Sequence, residues 1–294
     1  MKLRFLPVLA LLLLLTGCGS DSLADRIYAQ ALGISEDSGL RLTMQSAEDE
    51  SVRTVRADSL AAAFRLEEAQ AGGRVFIGHT ELICLDRSVT PATVRELFYE
   101  NGISPGCKLL YAPPEFLQTN DSTPVIHTQR LAEKDGLLTR TDLSTALDEW
   151  LGAYQTALLP VPDKPLPGLM LMHADGTCLR LTDSAARGML WLRQPPAKTE
   201  TAVGSEHVKV QQIRLQKTWE TDKAVYSLTL RAPDCDPGIR GQLQRKLAAD
   251  CQAAADTAVS ANADVIGLQT LLEANDIPLP DALPPVSVQV VVEP

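Results

Sequence analysis

Apolar positions along the chain fall into short alternating runs and into runs at helical spacing, and the two kinds are interleaved throughout. Ile27 to Ile34 is apolar and predicts a strand. Ser35-Glu36-Asp37-Ser38-Gly39 carries turn chemistry. Leu40-Arg41-Leu42-Thr43-Met44 then alternates as a strand with one buried face would, so the segment predicts a hairpin. Asp58-Ser59 can cap a helix running to Gln70, with Leu60, Phe64 and Ala71 on one face and Gly72-Gly73 as its stop. Val75 to Leu85 predicts a buried strand interrupted at Gly78-His79. Thr90 and Pro91 suit the cap and first position of another helix, which Gly102 ends. Lys108 to Ala112 predicts a short strand, and Pro113-Pro114 restarts the chain as a turn or short helix. Asp142 to Leu158 predicts a helix with Leu143, Leu147, Trp150, Leu151 and Tyr154 as its apolar face.

Pro160 to Pro167 holds four prolines and predicts a stiff connector at a domain boundary. A compact hairpin follows, Leu169 to His173 and Cys178 to Leu181, joined through Asp175-Gly176. Gly188 to Leu192 predicts one more strand, and Gln194-Pro195-Pro196 closes this unit. The last part opens with a long hairpin, Val208 to Leu215 against Val225 to Leu230. Asp236 caps the longest helix, whose stripe is Ile239, Leu243, Leu247, Cys251, Ala254 and Ala258. Asn262 to Gly267 breaks it, a short helix runs through Leu271-Leu272, and Val286, Val288 and Val290 alternate into a final strand. Strands and helices without a regular repeat predict an α+β fold in two to three small mixed domains, behind a lipoprotein signal peptide. The expected division is residues 1–17 signal peptide, 18–22 tether, 23–160 N-terminal α+β domain, 161–200 small β-rich middle unit and 201–294 C-terminal α+β domain with the long helix.

The signal is read from the first residues. Lys2 and Arg4 precede an apolar run from Phe5 to Leu15, shorter than the about 20 residues a membrane span needs. Leu15, Thr16 and Gly17 then lead into Cys18, a lipobox sequence. Cleavage before Cys18 and lipidation of its thiol would leave a chain tethered to a membrane face. The small residues Gly19 to Ser22 suit a flexible tether. One acyl chain binds only marginally, whereas two or more would hold firmly.

Composition narrows the partners. The formal net charge is -10, which argues against nucleic acid and against a broad grip on anionic lipid. Five cysteines besides Cys18 are scattered with no Cys-x-x-Cys, and read as small buried hydrophobes. The histidines His79, His127, His173 and His207 make no metal-type pair. No nucleophile elbow or phosphate-cradling loop is present, so no catalytic residue and no metal ligand is assigned. Glu48-Asp49-Glu50 and Glu67-Glu68 read as solvated acidic faces.

Several segments, taken in order, resemble the Ger(x)C spore germination lipoproteins, the lipid-anchored C subunits of nutrient germinant receptors. Asp25-Arg26 followed by Ala29 to Ser35 is similar to the family's Asp-Arg pair and apolar strand. Ile77-Gly78-His79 with Thr80 to Leu85 is similar to its Gly-His strand. Met170 to His173, Asp175-Gly176, Leu179, Leu181 and Arg187-Gly188-Met189-Leu190-Trp191-Leu192 resemble its middle unit. Asn262-Ala263-Asp264-Val265-Ile266-Gly267-Leu268 resembles the break after its C-terminal helix, and Val286 to Val292 its last strand. The chain departs from the family at Gly19-Ser20, where Trp-Asp is usual, and at Asn275 to Pro285, where a Trp-rich segment is missing or much shortened. The resemblance is therefore to a diverged member of the family.

The resemblance implies a non-enzymatic receptor subunit, with no cofactor beyond the covalent lipid on Cys18. Its partners would be the polytopic membrane subunits of the same receptor, and its place the outer face of the endospore inner membrane. The residues it offers for partner contact are His79, Arg187, Trp191 and Asp264. Each also has a structural reading: a hydrogen-bonded strand histidine, a buried Trp191 beside a Gly188 that admits a close backbone, and a helix cap at Asp264. A solute-binding lipoprotein of a transporter shares the lipobox, but would show two lobes of alternating strands and helices. A lipid-anchored hydrolase would need a nucleophile and base that the sequence does not present.

Overall fold

The computed structural model describes residues 26–163 and 167–294. The lipobox, Cys18, the tether and Asp25 lie outside the described residues. The first sheet contains β1 (Arg26–Ser35), β2 (Leu40–Ser46), β3 (Val52–Ala57), β4 (Arg74–Phe76), β5 (Leu82–Leu85) and β6 (Lys108–Tyr111). Its order is β3-β2-β1-β5-β6, with β4 paired to the beginning of β1 and β5 to its end. The β1–β2 and β2–β3 pairs are antiparallel, and β5 and β6 run parallel to β1.

Helices cover both faces of this sheet. α1 (Leu60–Ala71), α2 (Pro91–Tyr99) and α5 (Leu143–Leu151) pack against Leu32, Ile34, Ile83, Leu85 and Leu109. On the other face, Leu117 of α3 (Phe116–Thr119) and Ile126 of α4 (Ser122–Lys134) meet Ala31, Leu82, Cys84 and Leu110. Ile83 and Leu85 face one core and Leu82 and Cys84 the other, as a strand's two-residue period requires. The one-sided strand expected at Leu40 to Met44 is therefore corrected. Four of its five residues are buried, because the sheet lies between two helical layers. The predicted caps are present: Ser59 accepts from Ala62 N, Thr90 from Thr93 N, and Gly72 ends α1 at a φ of 73°.

The second sheet, β7 (Thr156–Val161), β8 (Gly168–His173) and β9 (Cys178–Arg180), is antiparallel and stands between the two main cores. Ala157, Leu159 and Met172 join the N-terminal core, while Leu158, Leu169 and Leu171 join the C-terminal one. The helix expected to reach Leu158 stops at Leu151. Gly152 ends it, and residues 156–161 find a strand partner in β8. Pro160 is tolerated because β7 is an edge strand and needs no outward N–H donor. The expected boundary at 160/161 consequently falls inside β7, and the one at 200/201 inside β10 (Lys198–Val203).

The strand expected at Gly188 to Leu192 is a helix, α6 (Asp183–Arg193). Thr182 accepts from Ala185 N as its cap, and Ala185, Gly188, Met189 and Leu192 bury one face. A five-residue apolar run has no period long enough to separate strand from helix. The middle unit is thus mixed rather than β-rich.

The last sheet runs β10-β11-β12-β13, with β11 (Glu206–Glu220), β12 (Lys223–Arg231) and β13 (Val286–Glu293). β13 is parallel to β12, and the other pairs are antiparallel. α7 (Pro237–Ser260) lies against this sheet and against α6, with Asp236 as cap and Leu243, Leu247, Cys251, Ala254 and Ala258 buried. α7 also closes the free edge of β13. Gln252 Oε1 accepts from Val288 N at 3.0 Å, and its Nε2 donates to Val286 O at 2.9 Å. Eight residues earlier, Gln244 accepts from Val292 N. One helix face so supplies partners that an edge strand otherwise lacks. Loop 261–267 and α8 (Leu268–Ala274) complete the chain before β13.

Candidate functional site

The four residues proposed for partner contact lie at three places. His79 is exposed in the turn between β4 and β5. Its ring stands 5.3 Å from Phe76 and 6.4 Å from Tyr28, and Arg26 lies over Phe76 at 5.7 Å. This cluster sits where the described chain begins. Its neighbour Thr80 is buried and donates to Ala29 O.

Arg187 and Trp191 lie on α6 beside α7. Arg187 makes a two-pronged ion pair with Asp250, Nε to Oδ2 at 3.0 Å and Nη2 to Oδ1 at 3.1 Å, and Ser184 Oγ also bonds Asp250. That carboxylate is nearly buried, whereas the Arg187 side chain is 49% exposed. Trp191 is buried at 4% exposure, so its ring can offer a partner little surface. A groove of about 510 Å³ opens here, with Leu137, Leu138, Leu190 and Trp191 on its apolar side and Arg187 and Asp250 on its polar side.

Asp264 belongs to the third place, the most polar of the three. Its Oδ1 accepts from Leu268 N at 2.7 Å and its Oδ2 from Gln269 N at 2.6 Å, which caps α8. It lines a cleft of about 400 Å³ together with Glu149, Arg193 and Lys217. Glu149 of α5 and Arg193 at the end of α6 approach to 2.5 Å, at 15% and 7% side-chain exposure. Glu149 Oε2 also accepts from Leu158 N at 3.0 Å. Burial pushes the Glu149 carboxyl up to about 7, against the downward pull of Arg193. Lys217 Nζ donates to Ile266 O at 2.6 Å and lies 5.1 Å from the Tyr226 ring. Burial lowers its pKa, and Asp264 opposes that shift. Tyr226 is fully buried and its hydroxyl donates to the same Ile266 carbonyl.

Sequence reasoning reached Asp264 but missed Glu149, Arg193 and Lys217. For Lys217 a signal existed. Ile213, Leu215, Lys217 and Trp219 alternate along β11, so a lysine stands on the face that its apolar neighbours turn inward. Glu149 and Arg193 carry no such mark, because only the packing of α6 near α5 makes them neighbours.

Cys84, Cys107 and Cys251 are buried, Cys178 and Cys235 half-buried, and all five are free thiols. Burial pushes the Cys251 thiol up to about 12 and the Cys84 and Cys107 thiols higher still. His127 and His207 are exposed on separate elements, and His173 Nδ1 is 2.7 Å from Thr156 Oγ1. Among the described residues no group of three or more His, Cys, Asp and Glu could hold a metal ion. No helix among them is long and apolar enough to cross a membrane.

No protein-family profile matches the chain, and no curated protein is similar to it in sequence. Among solved structures, it is similar to the crystal structure of the GerBC protein. The TM-score is 0.50 and the identity 11%, over 89% of this chain and 96% of that one. The chain thus has a Ger(x)C-like α+β fold, in a sequence that has diverged far.

Proposed function

Starting from that Ger(x)C-like fold, we propose that the protein is a lipid-anchored, non-enzymatic subunit of a nutrient germinant receptor. It would assemble with polytopic membrane subunits of the same receptor at the outer face of the endospore inner membrane. The observation that carries the reading is the extent of the likeness, which takes in nearly the whole of both chains. The ordered sequence segments behind a lipobox support it independently. Tethering through Cys18 would confine the folded body to a thin layer at the membrane and raise its effective concentration near its partners. Weak surface contacts would then be enough for assembly. The dispersed histidines and the structural engagement of Arg187 and Asp264 agree with a role in assembly rather than in chemistry. Nothing in the strand order of either main sheet favours the repeated lobes of a transporter's solute-binding protein.

The experiment is affinity purification of the tagged protein from detergent-solubilised inner spore membrane, followed by mass spectrometry. The expected result is co-recovery of two multispan membrane subunits encoded beside it. Recovery of a permease and an ATPase instead would overturn the reading.

A further inference from the structure

The outer edge of β3 is open. The strand pairs with β2 along all of Val52–Ala57 without a bulge, and among the described residues no other segment bonds to its backbone. In an antiparallel pair every second residue turns its N–H and C=O away from its neighbour, so β3 presents a row of free donors and acceptors. At the edge of the last sheet, β13 has Gln252 and Gln244 to take its outward groups. β3 has no such cover, and its sequence Val-Arg-Thr-Val-Arg-Ala holds no proline or glycine that would deter a further strand.

The side chains say what kind of strand would fit. On the α1 face Val55 is buried and Arg53 is bonded to Glu67. On the α3 face Thr54 and Arg56 are exposed, and Thr54 is bonded to Thr43 and Gln118. Arg56 stands directly opposite Arg41, and like charges in that position weaken a sheet. Arg41 is paired with Glu115, whereas the Arg56 side chain makes no ion pair or hydrogen bond among the described residues. An arginine without a counter-charge is thus held at an open edge, in a chain whose formal net charge is -10.

We propose that β3 docks an extended acidic segment of another protein as an added strand, with backbone hydrogen bonds along the edge and a carboxylate beside Arg56. The residue beside Val55 would be apolar, since that face continues the core under α1. A second copy of this chain fits less well. β3 itself carries no carboxylate, so pairing β3 with β3 would leave both Arg56 side chains without a counter-charge. The inference uses only this edge, and holds whether or not the receptor reading does.

The test is fluorescence anisotropy of the full-length protein in detergent with a labelled, end-blocked peptide Thr-Val-Glu-Val-Glu-Val-Thr, and with the same peptide carrying Gln or Lys in place of Glu. Saturable binding of the Glu peptide is expected, at least about tenfold tighter than the Gln peptide, the scale of one charged contact. Hydrogen exchange should slow at the amides of β3 when the Glu peptide binds. Arg56→Gln, at an exposed position, should keep a cooperative melt and remove the preference for Glu over Gln. Four results overturn the proposal: no saturable binding of the Glu peptide, Lys peptide binding as tightly, slowed exchange that leaves β3 untouched, or β3 amides that become protected without peptide as the protein concentration rises. The last would make the edge an interface between copies. The peptide comparison and the exchange pattern on the unaltered protein decide the matter even where the variant does not fold.

Discussion

Gly188 and Asp250 meet backbone to backbone where α6 crosses α7. A Cβ placed on Gly188 would lie 2.0 Å from the Asp250 carbonyl oxygen and 2.7 Å from Ala254 Cβ. Only a residue without a side chain permits that approach, and the next residue back, Arg187, pairs with the same aspartate through its side chain. Gly188→Ala must push the helices apart. It is expected to cost about 2–4 kcal/mol, the upper part of the range for overpacking. Denaturant unfolding would show it as a lower midpoint at an unchanged slope.

The Arg187–Asp250 pair is asymmetric in burial, and its two halves should differ in cost. Arg187→Met leaves the nearly buried Asp250 with Ser184 as its remaining side-chain partner. A loss of about 1–3 kcal/mol is expected, reduced from the fully buried case by the exposure of the arginine. Asp250→Asn breaks the two-pronged pair but removes the buried charge and leaves only the half-exposed Arg187 without its partner, so it should cost less. Equal costs for the two variants, measured by chemical denaturation, would contradict this account.

Stability should fall as the pH rises from 4.5 to about 7, the window in which Glu149 is protonated in the folded chain and ionised in the unfolded one. The unfolded chain ionises this group near 4.5, whereas the folded chain keeps its proton up to about 7. Between those values the folded state holds more protons, so raising the pH favours unfolding. Its contribution is fully present below 4.5 and lost above 7. Relative to Glu149→Gln, the unaltered protein is expected to lose on the order of 1–3 kcal/mol across this window. Loss of the Arg193 ion pair moves the variant's curve as a whole, and its flatter slope is the signal to look for in melts taken at several pH values.

Gln252→Ala should open the edge of β13. The Val288 amide and the Val286 carbonyl would both lose their partner, at a net cost of about 1–2 kcal/mol. Faster hydrogen exchange at Val288, with little change at Val292 where Gln244 remains, is the specific prediction. An exposed parallel edge should also raise self-association at high concentration.

Cys18→Ala should leave the protein unprocessed or soluble and reduce receptor abundance. Membrane fractionation with radiolabelled palmitate would check it. Normal membrane retention of the variant would refute the lipobox assignment.

Local chemistry made much of this fold legible before any tertiary contact was known. Ser59, Thr90, Asp142 and Asp236 each announce a helix start because the capping oxygen and the amide it serves are only two or three residues apart. The Asp175-Gly176 turn and the stripe from Leu243 to Ala258 are local in the same way. Asp264 caps α8 from slightly farther off, serving the amides of Leu268 and Gln269 four and five residues on. Segments with weaker signals were lost. Val52–Ala57 and Lys198–Val203 carry no clear period, and Ser122–Lys134 has its cap at Asp121 but no apolar stripe strong enough to mark the helix.

Other features exist only because distant segments meet. Residues 188–192 are helical because α7 offers their small face a partner, and Thr156 to Val161 is a strand because β8 lies beside it. Both runs are short enough for either conformation, so packing decided. The cleft of Glu149, Arg193, Lys217 and Asp264 draws one residue from each of four separate segments. The sequence by itself determined the caps, the turns and the mixed α+β character, all of which depend on neighbours along the chain. Strand order, the shared core around β7 and β8 and the charges brought together in the cleft were decided by the tertiary structure alone, because burial and ion pairing depend on distance in space.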